Sequence, residues 1–438
     1  MNAKDCVDQI FRAGVESVLP DKMIHKSLKI ENNILSIYDI SIPLDKIKRI
    51  FVIGAGKASA LMAKEVELIL GNRITDGHVI VKHGHGCELA KIQVTEAGHP
   101  TPDNFGFQAT AAIVQLMKNA QKDDLVICLI SGGGSSLLAD LPEGIGQNDL
   151  IELNQLLLKS GADIKEMNTV RKHVSNVKGG QLARIVYPAT LVSLILSDVV
   201  GDSLEVIASG PTSPDSGTFE EAIRILKKYD LTEKIPQPVL LHLTKGMEGK
   251  IPETPKADDP IFENTRNFII GSNKIALEAA GNKATELGYK TIIMTSELVG
   301  DTTKAAKYVV DLALNIQRNI MHQRSVCLLF GGETTLQVTG LGLGGRNQHF
   351  ALVAACLLLG TKEITLLSAG TDGNDGPTDA AGAIVDGNTC PDALAKNILP
   401  QNYLPDFDSY HFFEKTGGHL ITGSTRTNVM DLIAILIE

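Results

Sequence analysis

Glycine-rich loops follow apolar runs at several points in this sequence, and they hold the residues whose types and spacing could do chemistry. The apolar run 125–130 leads directly into S-G-G-G-S-S at 131–136. Such a run predicts a strand buried on both faces, and the serines after the glycines can begin a helix. Free backbone N–H groups and the helix dipole converge at this kind of turn, which makes it a candidate anion site. For one loop alone, a tight turn that binds nothing is an equally good interpretation.

A second unit of strand, glycine loop and helix carries a lysine. The strand 50–53 is followed by G-A-G-K at 54–57 and then by a helix-favouring sequence. Lys57 could contact a phosphate from the start of that helix, and a solvated surface lysine is the alternative. The motif is not a dinucleotide fingerprint, because Ser59 replaces the third glycine. It is not a Walker A loop either, because Phe51 stands where that loop needs its first glycine.

Basic residues at two further places are candidates for binding an anion. The glycine-rich segment 340–345 feeds another predicted helix, and Arg346 lies in its first turn. A cation is unfavourable near a helix N-terminus, so this arginine is either incidental or needed to face an anion, and the preceding loop favours the second interpretation. Arg171 and Lys178 have the spacing of one helical face. In an acidic chain that face is a candidate anion-binding surface or an ordinary solvated helix face.

Acidic side chains stand just beyond the ends of predicted strands. One buried strand ends at Asp198, with Asp202 close behind it. Ligands of open α/β sheets bind outside the carboxyl ends of the strands, and Mg²⁺ prefers one or two carboxylates together with water and phosphate oxygens. A second acidic group, Asp372, Asp375 and Asp379, crowds a glycine-rich loop. That group is either a cation site or a capped turn.

The composition excludes several classes of protein. The chain has 438 residues, of which 43% are hydrophobic and 21% are charged, and its formal net charge is −10. An acidic chain of this length is a poor nucleic-acid binder and can hold two or three domains. The six scattered cysteines, without a C-x-x-C pair, predict reduced thiols in a cytoplasmic protein. No apolar run is long enough to cross a membrane, and the polar N-terminus predicts no signal peptide.

A change of composition marks a boundary within the chain. Between residues 232 and 265, several prolines fall among charged residues around one short apolar piece. We interpret this segment as a connection between domains. The predicted domains are therefore 1–240 and 266–438, joined by a linker at 241–265.

Together these motifs resemble the class II glycerate 2-kinase family, whose C-terminal part is called the MOFRL domain. The matching motifs cover nearly the whole chain in the family's order, which is far more specific than one glycine loop. Arg426 is a departure, because a small residue is expected before T-N-V. The matching segments are 54–58, 96–103, 129–137, 171–180, 197–202, 208–212, 271–273, 331–335, 344–348, 369–382 and 427–432.

The resemblance implies an activity and an architecture. The activity is the ATP- and Mg²⁺-dependent phosphorylation of D-glycerate at its 2-hydroxyl, which gives 2-phosphoglycerate and ADP. The architecture is a Rossmann-like, three-layer N-terminal domain with a mainly parallel sheet, a smaller α/β C-terminal (MOFRL) domain and an active site in the interdomain cleft. Lys57 and Arg346 match the family's proposed catalytic pair. The expected partners are small molecules in the cytoplasm, and a homodimer is left open.

The remaining candidate site residues are those that could bind substrate or metal. Phosphoryl transfer needs in-line positioning and neutralised oxygens more than covalent help, and loop amides with cationic groups could supply both. The candidate binding residues are Gly54, Gly56, Ser131, Gly132, Gly133, Gly134, Ser135, Ser136, Arg171, Lys178, Asn273, Gly344 and Gly345. The candidate Mg²⁺ ligands are Asp198, Asp202, Glu333 and Asp372. The sequence assigns no general base.

Two other functions stay open at this point. An NAD(P)H-dependent hydroxypyruvate reductase is weakly supported by the G-x-G turn. However, the predicted second strand ends in Lys82 and His83, where NAD-binding folds place an acid. A non-catalytic sugar-phosphate sensor would explain the glycine loops but not the clustered acids. His99, in a proline-stiffened turn, is either a site residue or a hydrogen-bonded turn histidine.

Overall fold

The computed structural model describes residues 2–319 and 325–438, which form two compact units. The parallel-sheet unit comprises Met23–Leu196 and Asp202–Ile270. The mixed-sheet unit comprises Met1–Lys22, Ser197–Gly201 and Gly271–Glu438.

The strands of the described residues fall into three sheets. They are β1 (Leu28–Glu31), β2 (Ile34–Ile37), β3 (Ile40–Pro43), β4 (Arg49–Ala55), β5 (Ile74–Lys82), β6 (Gln93–Ala97), β7 (Asp124–Ile130), β8 (Thr190–Leu196), β9 (Thr265–Gly271), β10 (Lys290–Asp301), β11 (Val326–Thr335), β12 (Ile364–Gly370), β13 (Gly382–Asp386), β14 (His419–Leu420) and β15 (Asp431–Ile437).

The α-helices of the same residues lie mostly between these strands. They are α1 (Ala3–Ser17), α2 (Pro20–Ser27), α3 (Ser59–Leu70), α4 (Asn104–Met117), α5 (Gly134–Leu137), α6 (Gln147–Lys159), α7 (Ile164–Lys172), α8 (Gln181–Val186), α9 (Phe219–Lys228), α10 (Gln237–Met247), α11 (Asn273–Glu286), α12 (Thr302–Asn319), α13 (Arg346–Leu357), α14 (Thr389–Ala395) and α15 (Ser409–Thr416).

The six-stranded sheet of the parallel-sheet unit has the order β6-β5-β4-β7-β8-β9. The pairs β4–β5, β5–β6, β4–β7 and β7–β8 are all parallel. From β4 the chain adds β5 and β6 toward one edge of the sheet, and from β7 it adds β8 and β9 toward the other edge. Right-handed crossovers in opposite directions place the connecting helices on opposite faces of the sheet. The prediction of a three-layer α/β domain with a mainly parallel sheet is therefore confirmed. A small antiparallel sheet, β1-β2-β3, belongs to the same unit.

Strand β7 is one of the two central strands of this sheet. All seven of its residues are buried, as expected of a parallel strand covered by helices on both sides. The strand order reverses between β4 and β7, so their carboxyl ends lie side by side at a topological switch point. Open α/β sheets bind ligands in the crevice at such a point.

The sheet of the mixed-sheet unit has the order β10-β11-β15-β12-β13-β14. The pair β10–β11 is parallel, and β15 is antiparallel to both of its neighbours, β11 and β12. Residues of β15 alternate between two cores. Leu432, Ala434 and Leu436 pack with α1 and α11, whereas Ile433 and Ile435 pack with α12 and α13. Each face of the sheet is therefore covered by helices.

The units divide the chain differently from the predicted domains. Helix α1 packs on α11 in the mixed-sheet unit, where Val7 and Phe11 are fully buried beside Leu277. The sequence placed α1 with residues 1–240, because an amphipathic helix does not reveal which core covers its apolar face. The predicted linker 241–265 includes the second half of α10, and Leu243 of that helix is buried in the core of the parallel-sheet unit.

Candidate active site

The two glycine loops of the parallel-sheet unit meet at the switch point. The Lys57 N–H donates to the Gly132 carbonyl at 2.9 Å, and the Ala58 N–H donates to Ser131 Oγ at 3.0 Å. A Cβ on Gly56 would overlap Ser131 Oγ, so the loops approach this closely only because that residue is a glycine. The predicted segments 54–57 and 131–134 thus form one structural element, in which Ser131 accepts a hydrogen bond from the residue that precedes α3.

Gly133 makes room for two side chains at this element. Its φ is +82°, in the left-handed region. A Cβ there would lie 2.8 Å from the His99 ring and 3.6 Å from Lys57 Cε. The ring and the lysine side chain therefore converge over the glycine backbone. The imidazole of His85 also contacts the Lys57 carbonyl, at 3.1 Å.

His99 is a neutral imidazole in a positively charged environment. Burial, together with Lys57 and Lys82, lowers its pKa to about 4. The positive charges that disfavour an imidazolium also favour a bound anion. Of the two interpretations left open for His99, its place beside Lys57 favours that of a site residue.

The serines that follow the glycines already have hydrogen-bond partners, one of them outside the loop. The hydroxyl groups of Ser135 and Ser209 lie 2.6 Å apart, and Ser136 Oγ donates to the Gly133 carbonyl at 3.1 Å. A Cβ on Gly134 would lie 2.8 Å from Ala208 Cβ, so the segment around residue 209 packs directly on the start of α5. Sequence analysis had not connected Ser209 with this loop.

The prediction that Arg171 and Lys178 share a helical face is wrong. Helix α7 ends at Lys172, and the positive φ angles of Gly179 and Gly180 separate the intervening turn from α8. Both basic groups are nevertheless turned inward. Arg171 Nε donates to Asn154 Oδ1 at 2.7 Å, and Lys178 Nζ donates to the Leu138 carbonyl at 2.6 Å. Burial lowers the pKa of Lys178, and the charge of Arg171 lowers it further.

In the mixed-sheet unit, Arg346 is the first residue of α13 and contacts two carboxylates. Its Nε and Nη2 donate to Asp431 at 2.6 and 3.0 Å, and its Nη1 lies 2.9 Å from Glu333 Oε1. Burial alone would lower the pKa of Arg346, but Asp431 and Glu333 raise it above its usual range. The arginine at this helix start therefore faces two anions, and both are carboxylates of the protein itself.

Asp431 lies at the centre of this cluster because of its position in the sheet. It begins β15, between Gly332 of β11 and Gly370 of β12. Since both of those strands are antiparallel to β15, their carboxyl ends flank the aspartate. Burial raises the pKa of Asp431, and the Arg346 guanidinium opposes that shift. Sequence analysis did not single out Asp431 as a site residue, although it belongs to the segment 427–432 that matches the family and stands at the head of an apolar run.

The acidic loop 372–379 was predicted to be either a cation site or a capped turn, and at Asp375 the carboxylate has a capping role. Its two carboxylate oxygens accept the N–H groups of Asn347 and Gln348, at 3.0 and 2.8 Å, at the start of α13. A Cβ on Gly345 would overlap the Asp375 carboxyl group. Burial raises the pKa of Asp375 to about 6, although the Gln348 and Asn347 amides act in the opposite direction.

An open cavity of about 530 Å³ adjoins this cluster. Its lining includes Glu333, Arg346 and Asp375, together with the backbone of Gly344 and Gly345. Asn273, also predicted to bind substrate, instead donates from Nδ2 to the carbonyls of Val429 and Asp431, at 2.8 Å each. Its amide therefore fixes the entry to β15.

The predicted metal ligands come from three parts of the chain: Asp198 and Asp202 follow β8, Glu333 lies within β11, and Asp372 lies just beyond β12. Asp372 Oδ1 accepts the Asn374 N–H at 3.1 Å, Asp202 has a left-handed φ of +52°, and Asp198 is partly buried just beyond β8. Across residues 2–319 and 325–438, no three His, Cys, Asp or Glu side chains stand close enough together to hold a metal by themselves. Mg²⁺ bound with a nucleotide needs only one or two carboxylates. The exposed Glu333 carboxylate at the cavity is of that kind.

Arg426, the departure from the family pattern, adopts a left-handed φ of +62°. The final loop therefore accommodates a non-glycine residue in that conformation.

All six cysteines are free thiols. Within the described part of the chain, no helix is both long enough and apolar enough to cross a membrane.

This chain is similar to known proteins along nearly its whole length. A family model described as a domain of unknown function (DUF4147) matches residues 6–244, and one described as the MOFRL family matches residues 326–431.

A protein named glycerate 2-kinase from Pyrococcus horikoshii is 44% identical over 391 residues, which cover 89% of this chain and 87% of the relative. One named D-glycerate 2-kinase from Thermotoga maritima is 40% identical over 434 residues, covering 98% and 97%. One named putative hydroxypyruvate reductase from Agrobacterium vitis is 37% identical over 444 residues, covering 100% and 95%.

A solved structure extends the similarity to the whole fold. The crystal structure of a glycerate kinase from Thermotoga maritima superposes with a TM-score of 0.89 at 39% identity, covering 99% of both chains. The predicted family is thereby confirmed: this chain belongs to the class II glycerate 2-kinase family, with a C-terminal MOFRL domain.

Proposed function

We propose that this chain is a glycerate 2-kinase, which transfers the γ-phosphoryl group of ATP to the 2-hydroxyl of D-glycerate and releases 2-phosphoglycerate and ADP. The observation that carries the proposal is the match, over nearly the full length of both chains, to a relative named D-glycerate 2-kinase. Loop amides and cationic side chains support the proposal, because phosphoryl transfer needs neutralised phosphate oxygens.

The parallel-sheet unit contributes backbone amides and an ammonium group. The loops 54–57 and 131–134 meet at the switch point, where N–H groups and the start of a helix favour phosphate oxygens. Lys57 lies there beside the neutral His99, so the added charge comes from the lysine and the loop dipoles. We assign to Lys57 the neutralisation of the transferring phosphoryl oxygens.

The mixed-sheet unit contributes a guanidinium group. Asp431 holds Arg346 through two hydrogen bonds, and this fixes the direction in which the third nitrogen, Nη1, points. A pre-oriented cation stabilises developing charge without reorganising during the reaction. We assign to Arg346 the stabilisation of charge on the phosphoryl group in the transition state.

Substrate and metal take the remaining groups. Ser135, Arg171 and Lys178 are proposed to line the glycerate and phosphate positions together with the glycine loops. When Mg²⁺ is bound with ATP, it neutralises phosphate oxygens. Glu333, within β11 near its carboxyl end, and Asp372, just beyond β12, are proposed as ligands together with Asp198 and Asp202. The free thiols fit a reducing compartment, so we place the enzyme in the cytoplasm. A homodimer stays a prediction.

The test is to identify the product of the purified chain. With ATP, Mg²⁺ and D-glycerate, we expect ADP release and a ³¹P resonance coupled to the proton on carbon 2. A resonance coupled to the carbon 3 protons would give a 3-kinase instead, and no ADP release would refute the proposal.

One relative's name requires a second arm of this experiment. NADH with hydroxypyruvate, and without ATP, tests the reductase alternative by the loss of absorbance at the nicotinamide band. We expect no oxidation, since β5 ends in Lys82 rather than in an acid that could bind the ribose hydroxyls.

A further inference from the structure

The two carboxylates that share the Arg346 guanidinium are held very differently. The Asp431 side chain is 5% exposed, binds two nitrogens of Arg346 and also accepts from Asn347 Nδ2 at 2.8 Å. The Glu333 side chain is 46% exposed and meets Arg346 through Nη1. Because Asp431 is fixed in the sheet and Glu333 borders an open cavity, Glu333 can move away while Asp431 stays.

The charges at this cavity oppose an incoming anion as long as Glu333 stays in place. One guanidinium faces Asp431 and Glu333, and the carboxyl group of Asp375 lines the same cavity. An anion that approached Nη1 would meet the Glu333 carboxylate at the very atom it needs. Two negative charges that both contact Nη1 would lie close together, and such charges repel strongly wherever water is partly excluded.

The Glu333 carboxylate is chemically similar to the substrate oxyanion that would replace it on Arg346. A carboxylate oxygen and a phosphoryl oxygen are both charged acceptors that pair with a guanidinium N–H. We propose that Glu333 is a displaceable internal anion. It occupies Nη1 of Arg346 until an oxyanion of the substrate takes its place, while Asp431 keeps the guanidinium oriented throughout.

This inference deepens the proposed function and rests on it for the identity of the anion. The oxyanion belongs either to the phosphates of the nucleotide or to the carboxylate of glycerate. Once released from Arg346, Glu333 becomes free to contact a cation that accompanies the phosphates. Its two successive partners would then be a guanidinium before substrate binds and a cation afterwards.

The test measures binding without turnover, in metal-free buffer at low ionic strength. Tripolyphosphate and D-glycerate are titrated separately into the wild-type protein, Glu333→Gln and Asp431→Asn. Glu333→Gln should tighten the binding of one of the two probes by up to about fivefold, the upper end of the range for an exposed ion pair. The probe that responds identifies the source of the oxyanion. Asp431→Asn should weaken binding of that same probe.

Two further variants separate displacement from a general change in charge. Glu414→Gln removes an equivalent exposed charge from α15 and should leave both affinities unchanged. In the Arg346→Ala background, Glu333→Gln should lose its effect. Unchanged or weaker binding of both probes by Glu333→Gln, in a variant with wild-type thermal stability, overturns the inference. Because no kinase turnover is measured, this failure is distinct from a failure of the proposed function.

Discussion

Gly345→Ala should disrupt the support of Arg346 mainly through a steric clash with Asp375. Gly345 is the N-cap of α13 with φ −128° and ψ −174°, an extended conformation that alanine adopts without strain. The added Cβ would overlap the Asp375 carboxyl group, which accepts the Asn347 and Gln348 N–H groups. The carboxyl group must therefore move off the helix that Arg346 begins.

The expected loss follows from three contributions. Alanine at an N-cap costs up to about 1 kcal/mol relative to glycine. Overpacking at a buried site costs about 1–3 kcal/mol, and each weakened hydrogen bond to a charged group loses about 1.5–3 kcal/mol. Because relaxation relieves part of each, we expect a total of about 4 kcal/mol. This corresponds to a fall in Tm of about 8–16 °C for a unit of this size.

Gly146→Ala is the matched control. Gly146 is also an extended N-cap glycine, before α6, with φ −91° and ψ 165°. A Cβ there would meet Asp149 Oδ2 at 3.2 Å, which is the mobile end of a side chain. The control should therefore lose about 1 kcal/mol, or about 2–4 °C. Differential scanning calorimetry of both variants is the assay. Equal shifts in Tm would show that Asp375 does not hold the start of α13 as described.

Two further predictions concern titration. The His99 ring should titrate with a pKa of about 4 in an NMR experiment, and Lys57→Ala should raise that pKa, since Lys57 is one of the charges that lower it; an ordinary histidine pKa near 6.5 would show that the ring is solvated and distant from Lys57. Asp375 binds its proton more tightly in the folded protein, with a pKa of about 6, than in the unfolded chain, near 3.8, so its contribution to stability is present below about pH 4 and is lost as the pH rises through 6. Chemical unfolding between pH 4 and 7 should show a decline, of at most about 3 kcal/mol, that Asp375→Asn removes; a decline of the same size in the variant would assign it to other groups.

Local sequence signals were enough to predict the glycine loops. A run of buried residues, two or three glycines and a helix-favouring segment are adjacent in the chain, so their order determines the turn. That the loops at 54–57 and 131–134 touch could not be predicted in the same way. It depends on the order of β4 and β7 in the sheet, for which the sequence has no local signal.

The error at Arg171 and Lys178 shows the limit of spacing arguments. Seven residues match two helical turns only if the helix continues, and here α7 ends at Lys172, well before Lys178. The two groups still lie near enough for the Arg171 charge to lower the pKa of Lys178, whose Nζ is buried against the Leu138 carbonyl.

The partner of Arg346 could not be predicted from the sequence at all. Asp431 lies 85 residues further along the chain and reaches the arginine only because β15 pairs with both β11 and β12. An isolated aspartate before an apolar strand also has an ordinary interpretation as a strand boundary. Residue types identified the cation, and only the sheet topology identified what holds it.

The central claim is that Lys57 and Arg346 both act on the transferring phosphoryl group. The most direct measurement is kcat for Lys57→Ala and Arg346→Ala, with saturating ATP and D-glycerate and with Tm confirming that each variant is folded. Removing one preorganised donor from a transition state costs about 10²–10³ in kcat, and we predict a loss of that size for each variant. A wild-type kcat in either variant would contradict the account.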